Sequence, residues 1–455
     1  MTRSEHDFSK GSISRNILTL AAPMTAAQLI NVLYSVVDRI YLGRLPGHLA
    51  LTGLGLVMPI ISIVMGFANL CGTGGAPLCS IQRGRGDTEE AERVMGNAFT
   101  LLLIFGAAVT AVFLALQRPM LYLFGASDAT YPYAAAYMTI YMLGTVFVMI
   151  GLGMNPFITA QGFGGTGMMT VGLGAIVNIV LDPVFIFALD MGVQGAALAT
   201  VIAQACSAVW ALKFLTGRRA LLRLRLKYMA LSAKRVRDIV ALGLSGFFMN
   251  FTTSVVQVVC NATLQAWGGD LYVGVMTIVN SIREVFFMPI HGLTNGAQPV
   301  TGYNYGAQLY SRVRESARFS VVVTVAYAAA FWVVAMVFPG ALIRIFNSEP
   351  EVVAAGIPAL RIYFSMFVFM SLHMAGQGVF VSLGRSRQAI FFSVLRKAVI
   401  NAPLTVLLPI WLDTTGVFVA EAVSQLVSGM ACILTMYFTV YRPLRRLPDQ
   451  PRREA

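Results

Sequence analysis

The sequence predicts an all-α polytopic membrane protein, with twelve transmembrane helices in two pseudo-symmetric six-helix bundles around a central cavity. Composition, the placement of basic residues and an internal repeat lead to that fold class. Of the 455 residues, 57% are hydrophobic and only 12% charged, and the mean hydropathy is +0.72. An ordinary soluble domain is about 25% charged, so a water-exposed globule is excluded. The net charge of +13 does not point to nucleic acid, because the basic residues sit between apolar spans rather than on a soluble fold.

A membrane-crossing helix takes about 20 mostly apolar residues. Glycine, proline and charge clusters then delimit spans near residues 14 to 42, 50 to 80, 95 to 117, 131 to 161, 166 to 189, 193 to 215, 238 to 266, 272 to 303, 315 to 338, 354 to 382, 387 to 412 and 415 to 441. With the N-terminus inside, 25 of the 33 basic residues fall in inner segments and three (Arg44, Arg118, Arg344) in outer loops. Cytoplasmic loops retain positive charge, so both termini are expected in the cytoplasm of a multi-pass inner (plasma) membrane protein. The longest basic run, Arg218 to Arg237, joins spans six and seven. It reads either as a segment along the anionic inner leaflet or as a topology signal. The first fifteen residues carry mixed charge and no cleavable apolar core, so no removable signal is expected. The five cysteines (Cys71, Cys79, Cys206, Cys260, Cys432) lie in apolar stretches without paired spacing and read as packing residues.

Gly74-Gly75-Ala76-Pro77 and Arg83-Gly84-Arg85-Gly86 match Asn295-Gly296-Ala297-Gln298 and Asn304-Tyr305-Gly306 at an offset of about 221 residues. Leu123-Phe124-Gly125 answers Ile345-Phe346-Asn347, Arg93 answers Arg314, and Pro183 answers Pro403. The implied organisation is an N-terminal bundle over 1–217 with a cation site, a basic cytoplasmic linker over 218–237, a C-terminal bundle over 238–441 and a basic tail over 442–455. Each half has an even number of spans, so the halves share one orientation about an axis along the membrane normal.

An ionisable group near the bilayer centre costs at least about 2.5 to 3.5 kcal/mol, which makes the few intramembrane acids informative. Asp38 lies late in span one, Asp182 in span five, Glu284 in span eight and Glu421 near the outer start of span twelve. Asp38 shares a helix face with Tyr34 and Asn31, and Pro23 is placed to kink that helix below them. Asn178 is one turn before Asp182, and Pro183 weakens the backbone ladder beside it. Thr200 in span six and Asn155, next to Pro156 in span four, add oxygens at similar depth. Such a histidine-free, oxygen-rich set suits a proton or a hard cation, with Na+ at Asp38, Asn178, Asp182 and Thr200 as one possibility. The same residues, taken singly, also serve as packing contacts between helices. Asn31, Phe147, Met149, Met154, Phe157 and Glu284 are the candidates for lining a substrate cavity. His291 and His373 read as interior histidines, and Arg361, Arg396 and Lys397 as residues that snorkel to the interface.

The motifs Asn31 to Gly43 in span one, Asn178 to Pro183 in span five, Gln194 to Thr200 in span six and Gly302 to Ala307 after span eight resemble those of the multidrug and toxic compound extrusion (MATE) family. That family belongs to the multidrug/oligosaccharidyl-lipid/polysaccharide exporter superfamily, and the resemblance covers nearly the whole chain. It implies a non-enzymatic rocker-switch antiporter that exports amphipathic, often cationic, small molecules against an inward cation and needs no cofactor beyond H+ or Na+. One branch of the family places key acids in spans seven and ten, whose apolar interiors here hold neither Asp nor Glu. The chain instead resembles the DNA-damage-inducible-protein-F-like branch, whose cation site maps onto Asp38, Asn178, Asp182 and Thr200, with Asn155 and Tyr34 as neighbours. Two carboxylates sharing a dry pocket cannot both stay ionised cheaply, which suits loading by a proton; Na+ would instead hold both ionised with Asn178 and Thr200 completing an oxygen shell. Small-molecule cargo and membrane lipids are the expected partners, nucleic acid is not, and a monomer is expected. A lipid-linked oligosaccharide flippase would need several arginines for a pyrophosphate, which the interior spans are expected to lack. An integral-membrane transferase would need a catalytic constellation, and a channel a continuous polar lining.

Overall fold

The computed structural model describes residues 7–43, 49–124 and 126–450, with side chains left aside at 34–36, 38–40, 42–43 and 49–52. Among these residues the regular structure is helical throughout, without a strand. Lipid offers a backbone no hydrogen-bond partners, so each apolar run satisfies its own peptide groups by coiling. Among the described residues nine helices are long and apolar enough to cross a membrane. Two bent pairs bring the count to eleven: Tyr131–Leu143 with Thr145–Ala160, bent by 56°, and Pro350–Phe364 with Phe367–Ser382, bent by 42°. The 74-residue stretch Ala233–Gly306 folds back at Gly269 (φ 63°, ψ −163°) and supplies two spans, the seventh and eighth. The protein is therefore a twelve-span membrane protein.

The repeat read from the sequence is written into the backbone. Left-handed residues recur in register: Gly86 (φ 74°) with Gln308 (φ 59°), Gly162 (φ 97°) with Gly384 (φ 69°), and Asp190 (φ 52°) with Asp413 (φ 48°). Each of these pairs keeps the offset of the sequence repeat. Each also marks a chain reversal between spans, where a positive φ is required. The bent helices, spans four and ten, are likewise repeat equivalents.

The chain divides into two compact units, one holding Ala22–Gly243 and the other holding Asp7–Ala21 together with the residues from Leu244 onward. The boundaries do not fall between the sequence halves. Span one (Ile13–Gly43) begins in the second unit and passes to the first at Ala22, directly before Pro23. Span seven begins in the first unit and passes to the second after Gly243. Glycines permit both docking contacts. A Cβ on Gly74 would meet the Gly243 nitrogen at 2.8 Å, and one on Gly296 would meet the Ala21 nitrogen at 2.7 Å. In the second unit Phe8, Ile13, Ile17, Leu20 and Ala21 pack against Leu293, Ala297 and Val300. Within lipid, such contacts stabilise through close packing rather than transfer from water.

The Gly302-Tyr303-Asn304-Tyr305-Gly306 motif holds the segment that precedes span one. The Tyr303 hydroxyl donates to Asp7 Oδ1 (3.0 Å). Asn304 Nδ2 donates to the Phe8 carbonyl (3.1 Å), and Asn304 Oδ1 accepts from Arg312 Nε (3.1 Å). In the first unit the basic run after span six folds onto the start of span three (Thr88–Ala115). Arg235 makes a two-pronged contact with Glu90 (2.8 and 2.6 Å), and Arg225 Nε lies 3.1 Å from Glu92. The Leu222 N–H donates to Gln161 Oε1 at 2.8 Å. Fully buried Asn97 donates to the Ala230 carbonyl and accepts from the Ser232 N–H.

Candidate functional site

Span five runs over Gly164–Pro183 and continues as a π-helical turn over Val184–Ala188. Pro183 has no N–H to donate into the ladder, and such wider turns are common at functional sites. One turn before the proline, Asn178 Nδ2 donates to Asp182 Oδ1 (3.2 Å) and approaches Thr200 Oγ1 of span six (3.4 Å). Asp182 is fully buried, and Asn178 and Thr200 are 1% and 5% exposed. With its amide hydrogens so occupied, Asn178 presents an Oδ1 that receives no hydrogen bond. The structure thus brings together Asn178, Asp182 and Thr200. The side chains of Asp38 and Tyr34 lie outside the described residues.

Asn155 belongs to a neighbouring feature of the same unit. With Asn31, Thr170, Gly174, Gln204 and Ser207 it lines a cavity of about 430 Å³, mouth included. Its buried Oδ1 has no hydrogen-bond partner. Among the other cavity candidates, Phe147 is exposed, whereas Met149, Met154 and Phe157 are fully buried. Phe157 fills the space that a Cβ on Gly75 would take, and Met149 lies against Gly106. In this structure all three pack inside the bundle, Phe157 against span two and Met149 against span three. Glu284 is exposed, with Arg283 at 3.9 Å.

A second polar cluster, in the other unit, lies outside the sequence motifs. Span eleven widens into a π-helical turn over Leu395–Asn401, whose Arg396, Lys397 and Asn401 are all buried. Lys397 Nζ lies 2.9 Å from Glu421 Oε2 and 3.2 Å from Oε1. Asn401 also donates to Glu421, and Arg396 Nη1 stands 3.8 Å from the same carboxylate. The expectation that Arg396 and Lys397 snorkel to the interface is corrected here. Their side chains are only 5% and 3% exposed, because Glu421 offers a charge partner inside the bundle. The expected lack of interior arginines fails in this unit as well, since the Arg396 side chain is buried and that of Arg283 is 19% exposed. Arg361 points outward and donates to the Met336 carbonyl. His373 is fully buried near Phe392, and the half-buried His291 has its ring 4.8 Å from that of Phe287. No group of three or more His, Cys, Asp or Glu residues arranged to hold a metal occurs among the described residues.

Twelve spans in two repeated units, with buried polar clusters inside the bundles, are the plan of a membrane transporter and not of an enzyme. The MatE family profile matches residues 23–184 and again 246–407, two copies that follow the repeat offset. The chain belongs to the MatE family. It is 24% identical over 442 residues to the multidrug export protein MepA of Staphylococcus haemolyticus, covering 97% of this chain and 96% of that one. Its fold matches a solved structure described as MATE in the bent conformation, with TM-score 0.92 at 22% identity over 98% and 99% of the two chains. It also matches an outward-facing multidrug resistance MATE family transporter of the MOP superfamily, with TM-score 0.89 at 22% identity over 98% and 100%.

Proposed function

We propose that this chain is a secondary active exporter of amphipathic small molecules, multidrug cargo included, driven by H+ or Na+ moving inward through the N-terminal unit. The single observation that carries this reading is the buried Asp182–Asn178–Thr200 cluster, with Asn178 Nδ2 3.2 Å from Asp182 and 3.4 Å from Thr200. Relatives spanning nearly the whole chain and named multidrug export proteins support the cargo class.

Asn178 fixes the Asp182 carboxylate by donating to it and leaves its own buried Oδ1 free of hydrogen bonds, available as a further ligand. A proton arriving from outside neutralises Asp182. Sodium instead takes oxygens from Asp182, Asn178 and Thr200, the ligand type a hard cation prefers. By the family resemblance Asp38 on span one is the second acid of this site, Tyr34 and Asn155 belong to the same set, and Pro23 is the hinge at which span one responds. Similar folds have been solved in bent and straight conformations, in keeping with a fold that has two states. Loading the site favours one orientation and lowers the affinity for cargo, so the cation and cargo alternate. One charge moving inward is worth about 2.3 kcal/mol per 100 mV, enough for roughly fifty-fold accumulation of a neutral cargo outside. The protein acts as a monomer in the inner membrane, surrounded by lipid, with both termini cytoplasmic.

The test is efflux of a fluorescent cationic dye from proteoliposomes under an imposed proton or sodium gradient, for wild type, Asp38→Asn and Asp182→Asn. Gradient-driven efflux that disappears in both variants supports the antiporter and identifies its ion. Efflux unchanged in both removes these acids from the mechanism.

A further inference from the structure

The cluster in the C-terminal unit has more positive charge than it can neutralise. Arg396 and Lys397 face one buried carboxylate, Glu421, at 3.8 and 2.9 Å, and Arg283 adds its charge to the same surroundings. Glu284, the other acid nearby, lies 3.9 Å from Arg283 with its side chain 69% exposed, so even counting it one cation remains over. The further groups by the cluster are Tyr363, Cys260, His373 and His291, none of which carries a negative charge at neutral pH. Arg396 is 4% exposed. One of its terminal nitrogens meets Met370 Sδ at 3.2 Å, and its Nε–H has no acceptor. An arginine fork buried with an unused donor is built for an oxyanion.

We propose that this cluster is a subsite for the carboxylate of an anionic or zwitterionic amphipathic cargo. The proposal rests on reading the chain as an exporter and specifies part of what it exports. The carboxylate enters past Arg283, the least buried of the three cations with 19% of its side chain exposed, and accepts from the Arg396 Nε–H. Lys397 stays committed to Glu421, and Asn401 holds the far side of that pair. The bound anion completes the neutralisation that the protein leaves unfinished.

The experiment is equilibrium binding, by dansyl fluorescence, of dansylamino-undecanoic acid and of its uncharged primary amide to the full chain in phosphatidylcholine nanodiscs. The acid is expected to bind wild type at least about tenfold more tightly than the amide. Arg396→Gln should bring that ratio close to one while leaving amide affinity unchanged, and Arg396→Lys should keep most of it. Equal binding of acid and amide to wild type, as a cluster neutralised by loss of a proton from Lys397 would give, overturns the proposal. So does a preference that survives in Arg396→Gln. Should Arg396→Gln fail to fold, Arg283→Gln at the exposed edge is expected to weaken the acid and spare the amide, and equal loss of both would count against the subsite. Dye efflux separates this inference from the one it rests on. Gradient-driven efflux without acid preference sinks the subsite alone, whereas acid preference without efflux of any dye sinks the export reading and leaves the subsite standing.

Discussion

The two units carry the same polar register with different chemistry. In the repeat, Asn178 and Asp182 of span five answer Asn401 and Thr405 of span eleven, and Thr200 of span six falls beside the equivalent of Glu421 in span twelve. In each unit the asparagine is hydrogen-bonded to the side chain one turn on: Asn178 to Asp182 at 3.2 Å, and Thr405 to Asn401 at 3.1 Å. Carboxylate and hydroxyl have exchanged places. The N-terminal copy has its acid on the fifth span and the hydroxyl on the sixth; the C-terminal copy has the hydroxyl on the eleventh and the acid on the twelfth. The decisive difference is the supply of cations. Lys397 is the repeat equivalent of Gly174, a residue that lines the cavity of the N-terminal unit, and the chain has no Lys, Arg or His between Arg118 and Lys213. One copy gathers oxygens on a stretch of chain free of basic residues, while the other brings cations of its own.

That contrast is open to attack by mutation. The largest effect expected is on transport: Asp182→Asn should abolish gradient-driven efflux in proteoliposomes while leaving the detergent-solubilised protein as thermostable as wild type. Glu421→Gln should do the reverse to stability. Removing the partner of a buried cation costs about 3 to 5 kcal/mol, to be seen as a sharply lowered melting temperature. Adding Lys397→Met to Glu421→Gln should recover most of that loss. Equal destabilisation by Asp182→Asn and Glu421→Gln would erase the distinction between the two sites. Gly74→Val and Gly296→Val press on equivalent close approaches, and each should cost about 1 to 3 kcal/mol; a large difference between them would show that the units depend unequally on these contacts. The smallest effect concerns the segment before span one. Arg312→Ala removes donors to Asn304 and to the Phe8, Lys10 and Gly11 carbonyls. It should raise hydrogen exchange over residues 7–12 at a cost of about 1 kcal/mol.

The same segment has a pH dependence of known sign. Burial raises the Asp7 carboxyl, but hydrogen bonds from Ser9 and Tyr303 and the charge of Lys10 outweigh it and hold the group below its ordinary 3.8. A carboxylate depressed in the folded state stabilises it above the unfolded value. That contribution fades as pH falls through the lowered folded value, so exchange of residues 7–12 should accelerate only below about pH 3.8.

Much of the fold was legible because hydropathy, charge placement and repeat spacing are properties of single segments. The chain reversals at Gly162 and Gly384 sit where the repeat predicts them, whereas Pro403 stands three residues before the position this register gives to Pro183. The Asn178–Asp182 pair was visible because one helical turn is a sequence distance, and Thr200 joined it through the family motif. The Glu421 cluster was hidden because its members come from three helices, and a lysine or arginine in an apolar run reads by residue type as an interface group. A signal was present nonetheless. Five basic residues remain once the loops are set aside (Arg39, Arg283, Arg361, Arg396 and Lys397), four of them in the C-terminal half together with Glu284 and Glu421. The burial of Met149, Met154 and Phe157 depends on which helices pack against span four, which composition does not encode.

The boundaries at Ala21/Ala22 and Gly243/Leu244 are themselves repeat equivalents, so the repeats have made a reciprocal loan. Each leading helix lodges its first turns with the other's bundle. A gene cut at the linker would encode two polypeptides, neither of which owns every piece of its own core: one would lack residues up to Gly243, the other Asp7–Ala21. A solitary repeat could fill the vacated groove only by borrowing from a second copy. The smallest self-sufficient form of this architecture is therefore a pair, and the covalent chain is that pair made permanent.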